Sequence, residues 1–430
     1  MSAAVATAKA PADAIRPKIV FVNRYFYPDQ SATSQLLTDL ASSLAQAGFE
    51  IEVICSRQLY DDASIRLAPR DSFKGVVIHR VWTTRFGRGR SLGRAFDYAT
   101  FYAASALSML RRLKPGDTVV AKTDPPLISI VAMLAAKVKC AQLINWLQDI
   151  FPEVASRLGV NPLPRPLDAW LRSCRDLSLH RARTNIVLGE HMREQLQRTG
   201  IPADRIQIIE NWAELQPDEP KPVARSGLRA SLGLEDDCFV VGYSGNLGRA
   251  HEFQTLLGAA EILNADRNIV FLMIGGGAGM TQLEREVRDR GLGNFRFLAY
   301  QPRESLSDGL AAADVHWVSL RPALEGLIVP SKFYGIVAAA RPDIFIGDAD
   351  GEVARHIRSS ACGTTLGIGE AAQLARLLCA WRSDRPLLER MGEAGVRYYR
   401  EHCTAQRAFD QWMRILESQK YADGVLPRAL

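Results

Sequence analysis

Apolar positions in this chain fall into short continuous runs, and longer stretches with helical spacing separate them. Lys18-Ile-Val-Phe-Val22 is a run of β-branched and aromatic residues, which predicts a strand buried on both faces, as in a parallel sheet. A polar loop over residues 23–34 follows. A helical pattern then runs over about 35–46, with Leu36, Leu37, Leu40 and Leu44 on one face. Gly48 stands just past it as a cap residue, and 51–55 reads as a second strand. Further strands are predicted at 76–81, 117–122, 142–147 and 184–188, with Glu190 opening a helix that ends near Gly200. A Pro-rich polar segment, Pro217-Asp-Glu-Pro220-Lys-Pro222, reads as a linker.

After the linker the pattern starts again. A lead helix at 228–232 precedes strands at 239–244, 269–274, 295–298, 314–320 and 344–346, and residues 371–419 are helical in pattern. Two blocks of strand and helix alternation predict an α/β chain of two doubly wound, Rossmann-like domains. The boundaries that follow are a flexible leader over 1–16, an N-terminal domain over 17–212 and a linker over 213–225. A C-terminal domain over 226–395 comes next, then helices over 396–430 that pack back on the first domain. A length of 430 residues agrees with more than one core.

Composition narrows the class. At 47% apolar and 23% charged the chain is ordinarily globular. A net charge of +6 suits anionic substrates or an anionic membrane surface without requiring nucleic acid. The basic and aromatic interleaving of an RNA-binding sheet is absent. Seven dispersed cysteines read as reduced, buried thiols in a cytosolic protein. The segment 1–16 lacks the apolar core of a signal peptide, and the longest apolar run, 127–138, is too short to span a bilayer. A soluble or peripheral protein is expected.

Candidate chemistry lies in the loops at strand ends. The loop after the first strand has no glycine, which disfavours a dinucleotide-binding dehydrogenase. Two later strands end in carboxylate loops, Thr123-Asp-Pro-Pro126 and Gln148-Asp-Ile-Phe-Pro-Glu153. Asp149 is the sharper candidate, with a helix N-cap before Pro152 as its alternative. In the second half, Gly245-Asn-Leu-Gly-Arg-Ala-His251 places two glycines between strand and helix, where backbone amides approach an anion. Gly275-Gly-Gly-Ala-Gly279 resembles a dinucleotide loop but lacks the following acidic residue. Glu325-Gly-Leu-Ile-Val-Pro-Ser-Lys332 joins a strand ending at Arg321-Pro322 to a helix over 331–340. Its helix start and Lys332 suit a diphosphate. Asp348 and Asp350 sit in a glycine-flanked turn that accounts for them better than a metal pair does. Finally, a basic loop carrying Arg88, Arg90 and Arg94 precedes an apolar segment over 95–110. This pair reads either as a lipid-docking element or as a core helix beside a solvated loop.

Taken together, Trp146-Leu-Gln-Asp-Ile-Phe-Pro-Glu153, Asn211-Trp212, Tyr243-Ser-Gly-Asn-Leu-Gly248, Glu325 to Lys332 and Phe333-Tyr-Gly-Ile336 resemble glycosyltransferase family 4. This is the retaining group with the GT-B fold, and the wording is that of the bacterial exopolysaccharide, colanic-acid-type and O-antigen branch. The resemblance covers nearly the whole chain, from residue 18 to about 416. It implies two domains facing a central cleft, a C-terminal helix returning to the first domain, and a UDP- or GDP-sugar donor on the C-terminal half. Gly245 and Asn246 would lie under the diphosphate, and Lys332 and Arg249 would pair with it. Glu325 and the amides of Gly326, Leu327 and Ile328 would hold the sugar, with Ser331 beside them and Asp149 near the anomeric carbon. Phe333 and Gly335 stand where relatives carry a second glutamate, so the ribose contact would pass to Glu352 or to backbone. Asn246 and His251 stand where many relatives carry arginine and lysine. The resemblance further implies catalysis with no metal and no cofactor beyond the donor itself. The acceptor would be a lipid-linked saccharide, with Arg88, Arg90 and Arg94 on the acceptor or membrane side and the enzyme peripheral at the cytoplasmic membrane face. A sugar-nucleotide 2-epimerase and a catalytically silent sugar-nucleotide-binding scaffold remain as rival readings.

Overall fold

The computed structural model describes residues 17–60, 62, 64–87, 91–160, 164–213, 227–234, 237–302 and 305–418. The expected leader, nearly all of the linker and the last twelve positions of the C-terminal segment lie outside them. The chain gathers into two compact units that part between Ile144 and Asn145.

The first unit contains β1 (Ile19–Val22), α1 (Ala32–Gln46), β2 (Ile51–Ser56), β3 (Arg70–Phe73), β4 (Val76–Val81), α2 (Ser91–Arg112), β5 (Thr118–Lys122) and α3 (Ile128–Lys139). The strand β6 (Gln142–Trp146) carries the chain into the second unit. The strands of the first unit lie in the order β3-β4-β2-β1-β5. β1 is central and parallel to both neighbours, with Ile19 opposite Ile51 and Thr118. Its four residues are all buried, as a continuous apolar run requires. β3 is an antiparallel edge strand whose exposed Arg-Asp-Ser-Phe sequence gives no apolar signal, so the pattern missed it.

The second unit continues with α4 (Glu153–Arg157), α5 (Arg165–Arg181), β7 (Thr184–Val187), α6 (Glu190–Arg198), β8 (Ile206–Ile208) and α7 (Gly227–Ser231). Next come β9 (Phe239–Asn246), α8 (Gln254–Ile262), β10 (Ile269–Gly276), α9 (Ala278–Asp289), β11 (Phe295–Leu298), α10 (Leu306–Ala311) and β12 (Val315–Ser319). The chain closes with α11 (Lys332–Ala338), β13 (Asp343–Ile346), α12 (Glu352–Ser360), β14 (Gly363–Leu366), α13 (Ala371–Arg382), α14 (Arg385–His402) and α15 (Ala405–Glu417). A six-stranded sheet runs β11-β10-β9-β12-β13-β14, all parallel. Strand order reverses between β9 and β12, the switch point where loops diverge and open a crevice at the strand C-termini. The loops 245–251 and 321–331 both leave from that point.

The chain thus holds two parallel-sheet α/β domains, as the pattern predicts. α14 and α15 start with side-chain caps, Asp384 accepting from Leu387 N and Thr404 from Arg407 N. Along α15, Ala408, Trp412 and Leu416 are buried at i, i+4, i+8. Trp412 meets Trp146 edge-on at 5.0 Å, and Phe409 meets Trp212 at 5.4 Å.

Some expectations need correction. The helix expected over 331–340 spans only Lys332–Ala338, because Ala340 turns to a positive φ of 56° ahead of Pro342. The helix expected at 95–110 begins at Ser91 and ends at Arg112. Of the seven thiols, Cys55, Cys362 and Cys403 are buried, whereas Cys140 and Cys379 are exposed. Both exposed cysteines sit at or near helix C-termini, where a small residue needs no core neighbour. Among the described residues no helix is long and apolar enough to cross a membrane.

Candidate active site

β9 and β10 end in register, with Gly245 opposite Gly275 and Asn246 opposite Gly276. Leu247 N donates to Gly276 O, and Gly279 N donates to Leu247 O, each at 2.8 Å. A Cβ on Gly275 would overlap the Gly245 carbonyl, and one on Gly277 would overlap Asn246 Oδ1. The 275–279 glycines therefore let two loops lie back to back, which is a packing reason for a run that looks like a dinucleotide loop. Gly245 itself has φ +126°, and the Lys332 stem passes over it, with Cε 3.1 Å from where a Cβ would stand.

The Lys332 ammonium lies 3.2 Å from His251 Nε2 and 5.2 Å from the centre of the Tyr243 ring. Burial lowers its pKa to about 8. His251 Nδ1 is 2.5 Å from the Ser319 carbonyl oxygen. Burial, with the neighbouring Lys332 charge, lowers the His251 pKa to about 3, so the ring is neutral. Since α11 has only seven residues, its dipole is modest and Lys332 supplies the firm positive charge.

Glu325 follows the end of β12. Its Oε2 accepts from Glu352 N at 3.3 Å, while Oε1 is buried with no protein partner among the described residues. Burial raises its pKa to about 7. The Glu352 amide and His191 oppose that rise, and the charges of Asp348 and Glu352 add to it. Gly326 has φ +73°, and the His191 carbonyl oxygen lies 3.0 Å from where a Cβ would stand, so both backbone and space favour glycine. The N–H groups of Leu327 and Ile328 both donate to Leu324 O, at 3.0 and 3.3 Å. Two of the three amides expected to hold a sugar are thus committed to the turn. Leu327 O in turn accepts from Ile150 N at 3.0 Å, and Asp149 forms an antiparallel bridge with Ile328. That bridge brings Asp149 to the Glu325 loop.

Asp149 does not cap α4, whose N-cap is Pro152. Its loop is clamped by Arg175, a buried residue on α5. One guanidinium nitrogen donates to Phe151 O at 2.6 Å, and Glu153 is gripped by both terminal nitrogens at 3.0 and 2.6 Å. Sequence reasoning missed Arg175 because α5 shows exposed Leu167 and Trp170 among charges and no clear apolar face.

Two family descriptions match this chain, the "Glycosyl transferase 4-like domain" over 32–212 and "Glycosyl transferases group 1" over 225–397. The chain belongs to the glycosyltransferases of the family 4 type. This glycosyltransferase is 26% identical over 350 residues to "Putative colanic acid biosynthesis glycosyl transferase WcaI" of Escherichia coli strain K12, covering 77% of this chain and 84% of the relative. It is 25% identical over 292 residues to "Probable glycosyltransferase WbjE" of Pseudomonas aeruginosa, covering 67% and 71%. Its fold is GT-B. Sucrose-phosphate synthase from Thermosynechococcus elongatus superposes with a TM-score of 0.75 at 17% identity, covering 95% of this chain and 100% of that one.

The remaining expected residues fall in varied places. Asn246 and Arg249 are exposed on the loop after β9, and Ser331 is half-buried as the N-cap of α11. Glu352 is only 3% exposed. One of its carboxylate oxygens takes both the amide and the ring Nδ1 of His191, each at 3.0 Å. Burial would raise its pKa, but those bonds outweigh burial and hold it below the usual range. Phe333, at the position where relatives carry an acid, is fully buried and stacked on His356 at 5.5 Å. Asp348 accepts from the Asp350 amide at 2.9 Å, as a turn residue does.

Arg88 and Arg90 lie outside the described residues, and Arg94 is exposed on α2. A residue that the pattern did not single out, Asp97, is buried and ties the start of the basic loop. It accepts from Thr84 Oγ1 and from the amides of Phe86 and Gly87, at 2.7, 3.0 and 3.1 Å. Around that loop Trp82, Phe86, Leu92 and Phe96 are exposed.

Proposed function

We propose that this glycosyltransferase moves a sugar, with retention of configuration, from a UDP- or GDP-sugar to a lipid-linked saccharide in cell-surface polysaccharide assembly. The observation that carries this reading is the bridge between Asp149 and Ile328. It brings the backbone of Asp149 to the loop that carries Glu325 and, at its far end, Lys332, whose stem passes over Gly245. A carboxylate beside the anomeric carbon stabilises positive charge as the glycosidic bond stretches, and a cation at the diphosphate stabilises the leaving group. Glu325, once ionised, accepts hydrogen bonds from sugar hydroxyls, and the Gly326 amide adds a donor. With a lysine serving the diphosphate, the proposal needs no divalent metal. The WcaI relative supports the polysaccharide setting by its name. A structural neighbour, HepE of Anabaena, was crystallised with UDP-glucose, which supports a UDP-sugar donor.

The same reading places the enzyme as a peripheral protein at the cytoplasmic membrane face. Exposed Trp82, Phe86, Leu92 and Phe96 beside Arg85 and Arg94 have the composition of a headgroup-level contact. Thermal-shift and calorimetric titrations with UDP, GDP, dTDP and CDP, each with and without magnesium, test the donor site. A nucleotide at a hundred times its Kd stabilises by about 2.7 kcal/mol. We expect one nucleotide to bind without metal. Binding of none, with or without magnesium, would refute the donor site. Flotation with anionic vesicles tests the surface: Phe86→Ser, Phe96→Ser and Arg94→Glu together should release the protein, and undiminished binding would refute docking there.

A further inference from the structure

His251 stands where many relatives carry a second phosphate-binding cation, yet both of its ring nitrogens are already engaged. Nδ1 faces the Ser319 carbonyl oxygen at 2.5 Å. A carbonyl only accepts, so Nδ1 carries the hydrogen, and Nε2 is left as a bare acceptor. The atom opposite that acceptor is the Lys332 ammonium nitrogen at 3.2 Å. The carbonyl is itself held in place, because Ser319 Oγ donates to Glu252 O at 2.7 Å and accepts from Glu252 N at 3.1 Å. These bonds pin the loop that carries His251 to the end of β12. Below the ammonium lies Tyr243, 1% exposed, whose hydroxyl donates to Asn246 O at 2.8 Å. Burial raises the Tyr243 pKa well above its ordinary value, so this face is uncharged. The Lys332 stem is confined on its other side by Gly245.

Resting on the donor-site reading above, we propose that His251 is a positioning residue for Lys332. It is a neutral imidazole of fixed tautomer that takes one of the three ammonium hydrogens and leaves two for the donor's diphosphate. A lysine at this position would touch the phosphates itself. The histidine cannot, because neither nitrogen is left to offer. Its contribution passes through Lys332, by orienting the flexible four-carbon stem and by favouring the protonated amine. His251 and Tyr243, which contact the Lys332 ammonium, are both neutral, so the charge at this point of the site depends on the lysine holding its proton.

The test uses the full chain and whichever of UDP, GDP, dTDP and CDP binds the wild type, with the matching monophosphate as control. His251→Gln keeps an acceptor oxygen at about the reach of Nε2, and His251→Leu keeps bulk without an acceptor. We expect His251→Leu to weaken diphosphate binding about tenfold at pH 7.5 and to move its alkaline loss to lower pH. Monophosphate affinity should hardly change, and His251→Gln should stay within about threefold of wild type, since the energetic loss is that of one hydrogen bond to a charged group. Equal diphosphate affinity and an equal alkaline limb in wild type and His251→Leu would overturn the proposal while leaving the donor site standing. Failure of the wild type to bind any of the four nucleotides would overturn the donor site and this proposal with it. A second measurement does not depend on a folded variant. Imidazole nitrogen NMR of the wild type should show His251 in the Nδ1–H form from pH 5 to 9, and a titration midpoint near 6.5 would refute the proposal.

Discussion

Replacing Glu325 by glutamine should make the protein more stable at alkaline pH while removing its activity. The carboxylate has one oxygen on the Glu352 amide and the other buried without a protein partner among the described residues. Burial holds its pKa near 7, against an ordinary value of 4.5. A carboxyl whose folded pKa is raised binds its proton more tightly in the native state. It costs nothing below the unfolded pKa, and stability falls as pH rises from there through 7. A shift of this size lowers wild-type stability by about 2 to 3 kcal/mol between pH 5 and pH 8 relative to a glutamine that does not titrate. At roughly 2 °C per kcal/mol for a unit of this size, Glu325→Gln should melt about 5 °C above wild type at pH 8 and close to it at pH 5. Glu210, also raised to about 7 by burial, titrates in both proteins and cancels in the difference. Paired thermal melts across this range, with a turnover assay at each pH, make the measurement. Turnover of the wild type should rise through pH 7 as Glu325 ionises, and the variant should lose about 10²-fold or more. A melting difference that does not change with pH would refute the assigned burial of this carboxyl, and unchanged turnover would remove it from the site.

Two further perturbations probe the scaffold beneath the site. Gly275→Ala puts a methyl group into the Gly245 carbonyl at a φ of +127°, so it should weaken nucleotide binding and cost at least about 1 to 3 kcal/mol of backbone strain. Calorimetry and melting curves matching wild type would show that the two loops do not need their close approach. Trp412→Ala empties a fully buried position beside Trp146 and should destabilise the second unit by about 3 to 5 kcal/mol, read by urea unfolding. A loss under 1 kcal/mol would mean that α15 is not anchored there.

The strands were legible where burial on both faces forces continuous apolar runs, as at Ile19–Val22 and Ile269–Gly276. They were not legible where sheet edges relax that demand: β3 is exposed, and β14 reads Gly-Thr-Thr-Leu. The site loops were legible as residue types in order, because glycine, carboxylate and lysine mark backbone approach and charge. What joins them was not. Asp149 and Ile328 meet through one backbone bridge between distant segments, and no local pattern encodes such a pairing. Nor did the sequence explain its own departures. With Asn246 and His251 in place of two cations and Phe333 in place of an acid, a reader expects a weakened site. The structure instead turns Phe333 inward onto His356 and sets His251 against Lys332. In the proposed donor site the cation at the switch point is then Lys332, whose pKa lies near 8, with exposed Arg249 on the neighbouring loop. A site with several permanent cations tolerates the loss of one proton better than one whose main cation is a half-buried amine of lowered pKa. The pH dependence of nucleotide binding should therefore be steeper on the alkaline side here than in relatives that retain the additional arginine and lysine.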